Sequence, residues 1–115
     1  MDTPPFPFFD GHNDTILRLY DPRSDRREPD LFFSESGEGH LDLPRARAAG
    51  MKGGIFAVYV PSPELGDVAA SDPVGRPPAA TPERPEALST ALRLLAGLFE
   101  LERRSDGQFR IVRDA

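Results

Sequence analysis

The chain has 115 residues, with 13 prolines, 10 glycines, no cysteine and no tryptophan. That length accommodates one domain and no more, while 38% hydrophobic residues beside so much proline point to long loops or an incomplete domain. Fourteen basic against 19 acidic side chains leave a net charge of −5, which argues against nucleic acid as the main partner, because phosphate binding needs a basic face. No disulfide or cysteine-based metal site can form. The N-terminus lacks the basic and apolar regions of a secretory leader, and no apolar run approaches the roughly 20 residues of a membrane span. A soluble, cytoplasmic protein is expected.

Phe6 to Phe9 is an aromatic run behind Pro4-Pro5 that closes at Asp10-Gly11-His12. Such a burst predicts a buried strand over about 6–11. Ile16, Leu17, Leu19 and Tyr20 follow, but Pro22 and the charged stretch behind it predict loop over 21–40. Asp42-Leu43-Pro44 opens a short helix through Ala49, with Asp42 as N-cap and Gly50 as the residue that ends it. Gly53-Gly54 then introduces Ile55 to Val60, apolar on both faces, which predicts a strand over about 54–60 buried in a parallel sheet. Seven prolines between 61 and 85 predict a connecting loop.

From 85 to 104 the apolar spacing turns helical: Leu88, Leu92, Leu95, Phe99 and Glu102 fall three or four apart, with Ala91 and Leu98 widening the stripe. Ser105-Asp106-Gly107 stops that helix, and the alternation in Gln108 to Arg113 predicts a third strand. Three strands alternating with two helices form an α/β pattern, the N-terminal part of a parallel sheet. The three strands are expected to be parallel neighbours in chain order, with the 85–104 helix on their outer face. Alone they leave open edges, as the first part of a larger fold would.

The two histidines both stand in a His-x-Asp triplet, His12-Asn13-Asp14 and His40-Leu41-Asp42. Residues i and i+2 of an extended segment share a side, so His12 and Asp14 can converge on one cation. They also lie just beyond a predicted strand, where α/β barrels place their active sites. Imidazole nitrogen with carboxylate oxygen suits zinc or a similar divalent ion; a polar residue closing a strand end is the other reading of His12. Asp10 shares their side and is a candidate to orient a ligand from behind, or is a plain strand-end carboxylate. His40 follows a flexible Ser-Gly-Glu-Gly segment and Asp42 is already used as a cap, so that triplet reads as structural. Phe56 and Tyr59 read as core, and Arg45 and Arg47 as a solvated helix face. No nucleophile elbow, phosphate-binding loop or HExxH occurs.

Phe9-Asp10-Gly11-His12-Asn13-Asp14, His40-Leu41-Asp42-Leu43-Pro44-Arg45 and Gly53-Gly54-Ile55-Phe56-Ala57-Val58-Tyr59-Val60-Pro61 together resemble the membrane (renal) dipeptidase family, zinc metallopeptidases of the amidohydrolase superfamily. The resemblance covers most of the chain and is weakest over 21–38 and 62–84. It implies the N-terminal portion of a (β/α)₈ barrel, with two zinc ions at the C-terminal ends of the strands. His12 and Asp14 match the pair that binds one ion, His40 matches no ligand, and the bridging glutamate and later histidines have no counterpart here, so no catalytic residue lies within this chain.

The activity so implied is zinc-dependent hydrolysis of dipeptides by the complete protein, the metals lowering the pKa of a water and polarising the carbonyl. A non-catalytic fragment or docking piece is the alternative, as is another amidohydrolase reaction. A second copy or the remainder of the barrel is the protein partner expected at the open edges.

Overall fold

A computed structural model describes residues 5–62 and 81–114, so most of the expected 61–85 loop lies outside the described residues. The elements are β1 (Phe8–Asn13), α1 (Thr15–Leu19), a 3-10 turn (Pro29–Phe32), α2 (Leu43–Ala48), β2 (Met51–Phe56) and α3 (Arg84–Arg104). The result is a two-stranded parallel sheet with helices, a partial α/β fold. Among the described residues no helix is long and apolar enough to cross a membrane.

β1 and β2 pair through Phe8 with Met51, Phe9 with Gly53, Asp10 with Gly54 and Asn13 with Phe56. Both strands are displaced from their expected spans, β1 running later and β2 earlier. The glycines explain the second displacement. Gly53 and Gly54 do not introduce the strand but lie inside it, because the Phe9 ring covers Gly53 so closely that a Cβ would come within 2.9 Å of it. A Cβ on Gly54 would meet both Met51 and Asp10. Glycine in a strand commonly marks such a close approach. The ladder ends one bond beyond Phe56, where Ala57 N–H donates to the Asn13 carbonyl at 2.9 Å. Past that point β1 has turned into α1 and offers nothing to pair with.

Neither strand is buried as the apolar runs suggested. Phe8, Phe9, Ile55, Val58 and Tyr59 are exposed, and Phe56 is half-buried. Each strand has a single neighbour among the described residues, so one edge and much of each face remain open.

The buried core lies beside the sheet, in Ile16, Leu19 and Tyr20 of α1 and its end, Phe32 of the 3-10 turn, and Leu94 and Leu101 of α3. Gly97 lets α3 approach α1: a Cβ there would lie 2.7 Å from the Tyr20 ring. This contact selects the buried face of α3. Leu94, Gly97 and Leu101 are inside and Leu98 half-buried, whereas Leu88, Leu92 and Phe99 of the expected stripe are exposed. Both stripes obey helical spacing, and packing on Tyr20 decides between them. α3 accordingly packs on α1 and the 3-10 turn.

The expected third strand does not form. α3 ends at Ser105, Asp106 and Gly107 follow with φ of 51° and 79°, and the chain reverses. Its backbone donors then go elsewhere than to β2. Phe109 N–H donates to the Ser105 hydroxyl at 3.0 Å, and Ile111 N–H to the Glu102 carboxylate at 2.7 Å. Arg113 also bonds Glu102, and these partners hold the carboxyl below the usual carboxylate range. Phe109 is drawn into an edge-on cluster with Phe32 and Phe56, ring centroids 5.3 and 5.1 Å away. The segment lies along a cavity of about 620 Å³ bounded by Phe9, Ile55, Phe56 and Phe109.

Tyr20 donates its hydroxyl to Glu100 at 3.1 Å, beneath the Arg27 guanidinium. Burial, and then the Glu100 carboxylate, push its phenol above the ordinary tyrosine value. The neutral phenol is thus favoured in the folded chain, so this contribution is whole below the unfolded value of about 10 and is lost as pH rises beyond it. Urea midpoints measured from pH 8 to 11 should fall above pH of about 10, and Tyr20→Phe should lack part of that fall. Parallel pH curves for the two chains would contradict the assignment.

Candidate metal centre

β1 places His12 in its last turn of chain, and Asp14 follows as the N-cap of α1. The His12 Nε2 and an Asp14 carboxylate oxygen are 3.3 Å apart, with both side chains more than half exposed. The two residues therefore face the same side at the C-terminal end of a parallel strand. A zinc ion with bonds of about 2.0–2.2 Å to nitrogen and oxygen at the tetrahedral angle spans its two donors by about 3.3–3.5 Å. The 3.3 Å separation of the two atoms, which are hydrogen-bonded to each other, lies within that range.

The cap residue of a helix usually spends its oxygen on a backbone N–H of the first turn. Asp14 makes no such bond. The carboxamide of Asn13 accepts the Thr15 N–H at 3.2 Å, and the Asp14 carboxylate is bonded to His12. Asp10 does not reach either residue of the pair. Its carboxylate accepts from Asn13 Nδ2 at 2.9 Å. The i, i+2 alternation that would align Asp10 with His12 is interrupted, because the β1–β2 register shifts between Asp10 and Asn13. Asn13 is the residue that sequence reasoning passed over, although an asparagine at a strand-to-helix junction is a known competitor for backbone N–H groups.

The second triplet is built differently. Asp42 is buried, caps α2 by accepting from Arg45 N–H at 2.8 Å, and pairs with the Arg45 side chain. Arg45 is therefore bound rather than free on a solvated face. Arg18 reaches from α1 to the Leu41 carbonyl at 2.9 Å and lies over Gly39, where a Cβ would overlap it. Burial, and then the Arg45 charge, lower the Arg18 pKa. His40 is exposed in this loop. Among the described residues no group of three or more His, Cys, Asp or Glu side chains converges, so the His12–Asp14 pair stands as two donors.

The profile of the membrane dipeptidase family (peptidase family M19) matches residues 3–115. The chain belongs to that family. The crystal structure of the metallopeptidase dipeptidase AC, also of family M19, superposes with a TM-score of 0.73 at 37% identity, over 93% of this chain and 30% of that one. A chain of Acinetobacter calcoaceticus, described as "Uncharacterized protein in PQQ-III 3'region", is 48% identical over 56 residues, 48% of this chain and 17% of its own length. This M19 chain thus spans less than a third of the length of the relatives it matches.

The cap assigned to Asp42 has a measurable consequence. Asp42→Ala removes the acceptor for Arg45 N–H and the carboxylate paired with the Arg45 side chain, and should cost about 1–2 kcal/mol in urea unfolding. An unchanged midpoint would mean that α2 is not held by this carboxylate.

Proposed function

We propose that this chain supplies His12 and Asp14 as two ligands of one zinc ion in an M19 metallopeptidase that hydrolyses dipeptides. The observation that carries the reading is the 3.3 Å approach of the His12 Nε2 to the Asp14 carboxylate at the end of β1. Bound there, zinc would polarise a peptide carbonyl and lower the pKa of a water. The chain's own part is to aim two donors of unlike chemistry, one neutral and one anionic, at a single point. The parallel pairing of β1 with β2 and the position of the pair beyond the strand support a place in a (β/α)₈ barrel, whose active site collects at that face.

Stable zinc sites use three or four protein ligands. Among the described residues this chain offers two, so the reading calls for further ligands and substrate-binding groups beyond those residues. Two neighbouring cations repel unless anionic ligands offset their charge, and a second ion therefore needs a bridging carboxylate from outside the pair. The dipeptide reading thus concerns the completed protein.

Residues 1–115 supplied with excess zinc should show no dipeptide turnover, while the polypeptide completed with the later strands should hydrolyse dipeptides. His12→Ala in the completed polypeptide should lower kcat/KM by about a thousandfold or more, the several kcal/mol that a metal contributes to the transition state. Turnover by the 115-residue chain that vanishes in His12→Ala would show the ligand count to be wrong. Full activity of His12→Ala in the completed protein would overturn the metal assignment.

A further inference from the structure

Between Asp10 and Asn13 β1 advances three residues while β2 advances two, from Gly54 to Phe56. One extra residue is thus accommodated in β1, a bulge, and bulges are frequent beside active sites because they re-aim side chains. A bulge leaves backbone groups without their ladder partners and gives the chain no reason to hold one direction. Here the Asn13 carboxamide fills that role. Its Nδ2 donates to Asp10 at 2.9 Å and lies 3.4 Å from the Ile55 carbonyl of β2, and its Oδ1 accepts the Thr15 N–H at 3.2 Å. One side chain therefore binds the residue before the bulge, the neighbouring strand and the first turn of α1.

We infer that Asn13, braced by Asp10, is a positioning residue that sets the directions of His12 and Asp14. Asn13 lies between the two in the chain, and its three bonds fix the backbone on both sides of it. Its Oδ1 holds the first N–H of α1, and the Asp14 carboxylate makes no capping bond of its own. The inference rests on the reading of His12 and Asp14 as metal ligands. It adds that their convergence depends on a matched donor and acceptor at positions 10 and 13, for two reasons. The donor half of the amide is needed by the Asp10 carboxylate, and the acceptor half by Thr15.

The test is a zinc titration of the 115-residue chain followed by the ring Cε1–H resonance of His12, with His40 as the internal control. Asn13→Ala and Asn13→Asp should each weaken zinc binding at His12 about tenfold or more, the scale on which groups behind metal ligands act. The paired exchange of Asp10→Asn with Asn13→Asp reverses donor and acceptor and should recover binding to within about threefold of the native chain. A purely structural role predicts that zinc binding is lost only in step with the native amide spectrum, whereas positioning predicts loss with that spectrum unchanged. If Asn13→Ala does not fold, as its amide spectrum reports directly, the comparison of Asn13→Asp with the paired exchange decides. Native affinity in Asn13→Asp, or a paired exchange as weak as Asn13→Asp alone, would overturn the inference while leaving the ligands in place. Because two donors hold zinc weakly, the titration is carried to millimolar zinc, and a native chain in which His12 is then still unmoved would instead overturn the ligand reading, and this one with it.

Discussion

Where β1 passes into α1, a single residue is bonded in three directions. The Asn13 carbonyl accepts the last bond of the sheet from Ala57, and its side chain binds Asp10 and Thr15. The first helical bond of α1, Arg18 N–H to the Asp14 carbonyl at 3.2 Å, begins one residue later. A strand and a helix are thus joined without a loop, and the junction cannot rotate without breaking one of these bonds. His12 and Asp14 flank it. The backbone between them is held by these hydrogen bonds, and both side chains are open to water.

The core begins just behind the site. The apolar packing of Ile16, Leu19, Tyr20, Phe32, Leu94 and Leu101 runs the length of α1 and holds the short helix in place. A five-residue helix is not stable by itself. Tyr20 against Gly97 and Arg18 against the Leu41 carbonyl tie it to α3 and to the loop before α2. His12 and Asp14 are therefore exposed while the element that follows them is anchored. The sheet is the less finished part. Exposed Phe9, Ile55 and Tyr59, with the open cavity beside β2, give the edge of a parallel sheet that has one pair of strands among the described residues.

The sequence made some of this plain and hid the rest for physical reasons. The α3 helix was legible because twenty residues of periodicity outweigh local noise, and α2 because Asp42 and Gly50 mark its ends. The buried face of α3 was not, since two stripes satisfy the same spacing and only Tyr20, eighty residues away from its partner Glu100, selects one. The 3-10 turn at Pro29–Phe32 is short and lies in a charged stretch, yet Phe32 is among the most buried residues because Phe56 and Phe109 close over it. The alternation in Gln108 to Arg113 is real, but Ser105 and Glu102 claim the backbone donors a strand would need. At the site, His12 and Asp14 approach each other as the i, i+2 rule expects, whereas the Asp10 carboxylate bonds Asn13, beyond which a bulge interrupts the alternation the rule assumes.

The central claim is that one metal ion is shared by His12 and Asp14. Crystals of the chain grown with zinc and measured at the zinc absorption edge test it directly. The account predicts an anomalous peak within bonding distance of both the His12 Nε2 and an Asp14 carboxylate oxygen, with Asn13 still bonded to Asp10. Zinc on His40 alone, or on His12 with the Asp14 carboxylate turned to the first turn of α1, would contradict it.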